Sequence, residues 1–187
     1  MSAQSMNIQD HIREILKLIG EDPERDDLIE TPQRIADSYK ELFSGYKEDP
    51  RKVIKTFEAN GYEEMILVKN IDYFSTCEHH MIPFFGMAHI AYIPDKKITG
   101  LSKLPRIVDI FARRLQNQER LTVQVADVLH EELNPKGVAV QVSGRHLCMC
   151  GRGVKKVDAE TVTTAFRGAF KTKPDLKNDF FNQIKTS

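Results

Sequence analysis

The sequence lacks a long hydrophobic run, an excess of either charge and an apolar leader, and it contains only three cysteines. Without about 18 consecutive apolar residues, no transmembrane helix is expected. Basic and acidic residues number 27 each, so no global field would attract nucleic acid or an anionic membrane. Residues 1–7 have neither the basic segment nor the apolar segment of a secretory signal, so no such signal is expected. The odd number of cysteines then fits free thiols in the reducing cytoplasm.

The order of helical and strand patterns favours the α+β class. Apolar spacing predicts a helix over 7–19, Thr31-Pro32 begins a second helix, and Asp49-Pro50 begins a third that reaches about residue 57. The remaining predictions are strands at 65–77 and 87–93, helices at 104–116 and 118–133, strands at 137–150 and 161–170, and a closing helix at 174–184. This order is not strict β-α alternation, and it therefore predicts an antiparallel sheet with helices packed on it.

Residues 77–80 combine metal-binding and proton-transferring groups. Cys77, Glu78, His79 and His80 place a thiol, a carboxylate and two imidazoles in sequence. Cys77 and His80 are three residues apart, so a single turn can direct both at one ion. Zn²⁺ accepts thiolate and imidazole ligands, and catalytic zinc sites keep one position for water beside three protein ligands.

A second segment, with His146, Cys148 and Cys150, is the candidate source of further ligands. If 137–150 is one strand, these three side chains share a face. Cys148 would complete a three-ligand site with Cys77 and His80, whereas adding Cys150 would close the site into a structural one. Spacing leaves both open, and the cysteines could also be small buried hydrophobes. The two segments together favour a metal site.

Charged residues elsewhere suggest how an anionic substrate could be held. Lys103 and Arg106 lie near a predicted helix start, and Arg152 follows the second segment. Three cations near a metal would suit a phosphate chain, although a solvated basic face is the alternative. Glu119 begins another helix, where it could interact with the helix dipole or accept hydrogen bonds from a purine.

His79 and His146 each neighbour a proposed metal ligand. Histidine titrates near neutrality and suits proton transfer beside a metal-bound water. The alternative is that these two histidines only support the metal ligands.

Four motifs occur in the order of a known family. They are CEHH at 77–80, GLSKLPR at 100–106, QERLT at 118–122 and HLCM at 146–149. Together with ETPQRIA at 30–36, they make the chain closely resemble type I GTP cyclohydrolase from about residue 20 to 170. The resemblance implies a T-fold (tunnelling fold), an antiparallel sheet with helices packed on one face. It also implies an N-terminal helical extension over 1–60, a catalytic domain over 61–187, and a homodecamer with active sites between subunits.

The activity implied by the resemblance converts GTP and water to 7,8-dihydroneopterin triphosphate and formate, the first step of tetrahydrofolate and pterin biosynthesis. Matching positions imply that Cys77, His80 and Cys148 bind Zn²⁺, which lowers the pKa of the water that attacks C8 of guanine. Residues matching His79 and His146 would move protons.

The remaining positions that match the family contact GTP. Glu119, with Gln118 beside it, would bind the guanine edge. The ribose-triphosphate end would be held by Ser102, Lys103, Arg106 and Arg152.

The chain departs from the family at two places. Gly151 stands where the family motif Cys-Met-x-Met-Arg-Gly-Val commonly has Met, and Cys150, at the variable position of that motif, adds a thiol near the metal. Asp27 stands where the family usually has Gly, in a loop not tied to the chemistry. Cys150 could be a fourth ligand of a non-catalytic zinc protein. Alternatively, the chain could be another T-fold enzyme with a cysteine nucleophile. A zinc deaminase is disfavoured because Cys-x-x-Cys is absent, and no nucleic-acid-binding module is recognised.

Overall fold

The computed structural model describes residues 6–185. Contacts between residues divide the chain into two compact units, one ending at Ser44 and one beginning at Gly45. The predicted division at residue 60 stays a prediction, and the contacts place residues 45–60 in the unit that contains the sheet. Within the described residues, no helix is both long enough and apolar enough to cross a membrane.

The first unit contains two helices, α1 (Ile8–Leu18) and α2 (Thr31–Leu42). α1 begins with a capping box, because Asn7 Oδ1 accepts from the Asp10 amide while the Asp10 carboxylate accepts from the Asn7 amide. Pro32 occupies the first turn of α2, where no amide hydrogen is needed. Both helices confirm the sequence prediction, with ends that differ by one to three residues.

The strands of the second unit are β1 (Thr56–Glu58), β2 (Ile66–Cys77), β3 (Pro83–Ile93), β4 (Lys97–Thr99), β5 (Leu115–Gln116), β6 (Gly137–His146) and β7 (Thr161–Gly168). β1 and β4 form a two-stranded sheet, and the other five form a sheet with the order β5-β2-β3-β6-β7. The helices are α3 (Lys103–Ala112), α4 (Gln118–Leu133), α5 (Leu147–Cys150), α6 (Ala169–Thr172) and α7 (Pro174–Lys185). The four long strands pair antiparallel, and the two-residue β5 pairs parallel with β2.

Alternation along the strands separates two cores. Ile90 and Tyr92 of β3 point into the larger core, where α3 and α4 pack on one sheet face. Ala91 of the same strand points to the opposite face, where Phe170 and Phe180 cover one end. The α+β antiparallel sheet with helices packed on a face confirms the predicted fold class, that of the T-fold. α7 adds a smaller layer on the other face.

Several predicted elements differ from the structure. The helix predicted over 104–116 ends at Ala112, and Leu115–Gln116 form β5 instead. The strand predicted over 87–93 begins earlier, at Pro83. The helix predicted from Asp49 is only a 3-10 turn over Pro50–Val53, because β1 follows and pairs with β4. The strand predicted over 137–150 ends at His146 and continues as the helical turn α5, closed by a hydrogen bond from the Gly151 amide to the Leu147 carbonyl. The expectation that His146, Cys148 and Cys150 share a strand face is therefore wrong.

Candidate metal centre and nucleotide site

The β2–β3 hairpin turn places Cys77 and His80 at one point. The Met81 amide donates to the Cys77 carbonyl at 2.8 Å, and the Cys77 amide donates to the Ile82 carbonyl at 2.9 Å. Met81 adopts a left-handed conformation with φ of 53°, which lets the chain reverse within few residues. Cys77 Sγ consequently lies 3.8 Å from His80 Nδ1.

The third member of the cluster arrives from the distant α5 turn. One ligand atom each from Cys77, His80 and Cys148 lies within 4.8 Å of the others. Zinc bonds of about 2.3 Å to sulfur and 2.0–2.1 Å to nitrogen separate neighbouring tetrahedral ligand atoms by roughly 3.5–3.8 Å. The 3.8 Å between Cys77 Sγ and His80 Nδ1 matches this spacing, and all three ligand atoms lie within 4.8 Å of one another. Two thiols and an imidazole are a donor set that suits Zn²⁺.

The three clustered side chains differ in exposure. Cys77 is buried, Cys148 is half-buried and His80 is exposed. Burial raises the pKa of the Cys148 thiol, and the neighbouring Cys77 raises it further. A bound cation reverses this preference and favours both thiolates.

Cys150 lies outside this cluster among the described residues. Its Sγ is 3.7 Å from the Val157 carbonyl oxygen, to which the thiol donates. The helical turn explains the difference, because residues two apart in a helix point to different sides. The geometry supports three protein ligands.

His146 stands beside the cluster at the end of β6. Its ring stacks on Phe84 with 4.6 Å between ring centroids and 3° between the planes. Its Nε2 lies 3.0 Å from Gln118 Oε1. Burial lowers the pKa of His146, and the charge of Glu119 opposes that shift. The histidine is therefore ordered by contacts with two strands and α4.

His79 differs from His146 in being exposed. Its Nδ1 lies 3.9 Å from Cys77 Sγ, and its Nε2 lies 3.8 Å from Glu78 Oε1. With 66% of the side chain accessible to solvent, His79 can exchange protons with water directly. His79 thus lies near the Cys77 thiol.

Glu78 connects the metal-binding turn to the start of α4. Its carboxylate accepts hydrogen bonds from Asn117 Nδ2 at 2.8 Å and from Arg120, and its amide donates to the Gln116 carbonyl. The hydrogen bonds from Arg120 and Asn117 hold the pKa of Glu78 below its ordinary value. Sequence reasoning missed Asn117 and Arg120; the only local signal was that Asn117 is a preferred helix cap.

Glu119 and Arg152 flank the metal cluster, but the α3 residues do not join it. Glu119 lies in the exposed first turn of α4, and Arg152 follows α5 in an exposed loop. Their charges influence the pKa values of His146 and Cys148, respectively. Ser102, Lys103 and Arg106 stand at the start of α3.

Among the described residues, no side-chain hydrogen bond or ion pair joins Ser102, Lys103 or Arg106 to the cluster. Arg106 instead lines a cavity of about 350 Å³ with Asp109 and Arg113. Gln118, predicted beside the guanine, is 1% exposed, and its side chain bonds to other protein groups.

Comparison with known proteins identifies the family. The sequence model of the family described as GTP cyclohydrolase I matches residues 8–185. GTP cyclohydrolase 1 of Chlorobium chlorochromatii (strain CaD3) is 50% identical over 180 residues, which are 96% of this chain and 81% of that protein. GTP cyclohydrolase 1 of Brucella canis (strain ATCC 23365 / NCTC 10854 / RM-666) is 50% identical over 177 residues, which are 94% of this chain and 83% of that protein.

A solved structure of the archaeosine synthase QueF-Like in the apo form also aligns with the chain. It has a TM-score of 0.45 and 20% identity, and the alignment covers 56% of this chain and 94% of that one. The match of the family model over residues 8–185, and relatives half identical along nearly the whole sequence, show that the chain belongs to the GTP cyclohydrolase I family.

Proposed function

We propose that this chain hydrolyses GTP to 7,8-dihydroneopterin triphosphate and formate, the first step of tetrahydrofolate and pterin biosynthesis. The observation that carries the proposal is the convergence of Cys77, His80 and Cys148 within 4.8 Å, in a chain of this family. All three lie within motifs that carry the family resemblance.

The metal proposed is Zn²⁺, held by the Cys77 and Cys148 thiolates and the His80 imidazole. When bound, zinc supplies Lewis acidity that lowers the pKa of water to roughly 7. The half-exposed arrangement of the ligands leaves one side accessible to substrate. The supply of a nucleophile at neutral pH is the chemistry that attack on guanine C8 requires.

The two histidines are proposed to move protons around the reacting ring. His146, held against Phe84, is placed to accept and return a proton at a fixed position. His79 is exposed and can exchange protons with solvent. Opening of the imidazole ring and departure of formate both require such transfers.

Substrate recognition is proposed to come from separate positions on the surface. Glu119 accepts hydrogen bonds from the guanine edge at the start of α4. Ser102, Lys103, Arg106 and Arg152 are proposed to bind the ribose-triphosphate end. The α3 residues are proposed to complete a site between subunits of a cytoplasmic homodecamer, because within one chain they are not joined to the metal cluster.

The direct test incubates the zinc-loaded protein with GTP and follows formate and the fluorescent pterin obtained after oxidation. Equimolar formate and pterin are expected, and both should disappear with a chelator and return with added Zn²⁺. Absence of formate with fully zinc-loaded protein would overturn the proposal. Turnover that persists after complete zinc removal would instead favour a T-fold enzyme with a cysteine nucleophile.

A further inference from the structure

Gln118 is the most fully bonded polar side chain next to the metal cluster. It is 1% exposed, and its Nε2 donates towards three acceptors in β6 and β7. The distances are 3.0 Å to the Val142 carbonyl, 2.9 Å to the Thr161 carbonyl and 3.2 Å to Thr163 Oγ1. No amide hydrogen of Gln118 is left for a substrate.

These partners determine which way the amide faces. Backbone carbonyl oxygens of Val142 and Thr161 can only accept, so the NH₂ group of Gln118 must face them. Its Oε1 then faces His146 Nε2 at 3.0 Å. Because a carbonyl oxygen cannot donate, the ring nitrogen of His146 facing it must carry the hydrogen.

Two further features hold the pair in place. Phe84 stacks on the His146 ring and prevents it from tilting. Gly144 provides the space for the Gln118 carbonyl, since a Cβ at this position would lie 2.7 Å from Gln118 Oε1. The Gln118–His146 contact therefore depends on a glycine two residues before His146 in β6.

We propose that Gln118 is a positioning residue that keeps neutral His146 in the Nε2–H tautomer and leaves Nδ1 as its proton acceptor. The catalytic meaning of this assignment rests on the proposed function.

The tautomer can be measured directly on the zinc-loaded protein without any substitution. Long-range ¹H–¹⁵N correlation spectra of protein labelled with ¹⁵N-histidine distinguish protonated from bare ring nitrogens, and the sequence has six histidines. The His146 signals are assigned by their loss in His146→Asn. At mildly alkaline pH we expect a protonated Nε2 and a bare Nδ1. A protonated Nδ1 with a bare Nε2 would overturn the proposal.

Variants then test whether the contact matters for catalysis. Gln118→Leu removes the acceptor for His146, while Gln118→Glu retains one when its buried carboxyl is protonated and the O–H donates to the strand carbonyls. We expect kcat to fall roughly 10- to 100-fold in Gln118→Leu, less in Gln118→Glu, with the Kd for GTP within about twofold of the parent value. In folded Gln118→Leu, the His146 signals should show both tautomers. Gln124→Glu, on the same helix and away from His146, is the control.

The outcomes separate this inference from the proposed function. A large rise in the Kd for GTP with unchanged kcat would make Gln118 a substrate contact and refute the positioning role. An unchanged His146 tautomer in Gln118→Leu would refute it as well. If the parent protein forms no formate, the proposed function fails, whereas the spectra of the parent still decide the tautomer. Should Gln118→Leu not fold, Thr163→Val weakens the same network and is measured in its place.

Discussion

Glu78 and Asn117 are joined by a 2.8 Å hydrogen bond between Glu78 Oε1 and Asn117 Nδ2. The same asparagine caps α4, since its Oδ1 accepts from the Arg120 amide. One side chain thus attaches the metal-binding turn to the helix that carries Glu119. The metal and the proposed guanine contact are positioned by a common set of hydrogen bonds.

Replacing Glu78 by alanine should weaken zinc binding. The substitution leaves all three ligands intact but removes the side chain that ties their turn to α4, and residues supporting a metal site contribute about 10- to 100-fold in affinity. We expect about a tenfold rise in the zinc Kd, measured by competition with a chromogenic chelator. Glu131→Ala, which removes an exposed ion pair with Arg51, is the control, and an equal effect there would contradict the prediction.

The number of zinc ligands can be tested with the cysteines. Cys148→Ser should abolish stoichiometric zinc binding, because it removes one of the three clustered ligands. Cys150→Ser should keep one zinc per chain, since that thiol contacts the Val157 carbonyl instead. Elemental analysis of both purified variants measures this. Loss of zinc from Cys150→Ser would favour a closed four-ligand structural site.

Gly144→Ala should destabilise the protein and lower activity together. The added Cβ would lie 2.4 Å from Tyr73 Oη and 2.7 Å from Gln118 Oε1, and both neighbours are buried. Overpacking of this kind costs about 1–3 kcal/mol. Denaturant unfolding and steady-state kinetics measure the two effects.

The control for Gly144→Ala is Gly151→Ala, because a Cβ at Gly151 meets its nearest neighbour at 3.7 Å. Its stability should stay close to that of the parent. A Gly144→Ala variant as stable as Gly151→Ala would contradict the close packing described.

His89 should make the fold less stable in mild acid. Burial, and secondarily the charge of Lys69, lower the pKa of His89 from its ordinary 6.5. Its Nδ1 also accepts a 3.3 Å hydrogen bond from the Asn70 amide, which protonation of that nitrogen would break. Above pH 6.5 His89 is neutral in both the folded and the unfolded protein, so it adds no pH dependence to the stability. Below 6.5 the unfolded chain binds the proton more readily, so stability falls as pH falls.

Urea unfolding at pH about 7.5 and about 5.5 measures this dependence. His89→Gln should lose less stability between the two pH values than the parent. An identical loss in both proteins would assign the acid sensitivity to other groups.

Local signals were sufficient for some elements and not for others. The α4 bounds matched the prediction, because a capping asparagine, an apolar stripe and Asn134-Pro135 all agree within the segment. The β1–β4 pair was not predicted, since three-residue strands depend on a partner about 40 residues away. The α5 turn was missed because β-strand alternation was extended past His146, where backbone hydrogen bonds change from ladder to helix.

The site shows the same limit. Spacing suggested Cys77, His80 and Cys148 as one possible ligand set, and the family resemblance implied that set and placed Gln118 beside the guanine. The contacts of Gln118 come from Val142, from the Thr161–Gly168 strand and from His146. Only the folded sheet brings these together, so sequence spacing could not reveal the partners of that amide.

The three proposed zinc ligands differ in exposure, since Cys77 is buried and His80 is exposed. A cation held there would be reached by solvent and by chelators from the side of the imidazole. We therefore expect the rate of zinc exchange in the loaded protein to depend more on substitutions at His80 than on substitutions at the buried sulfur.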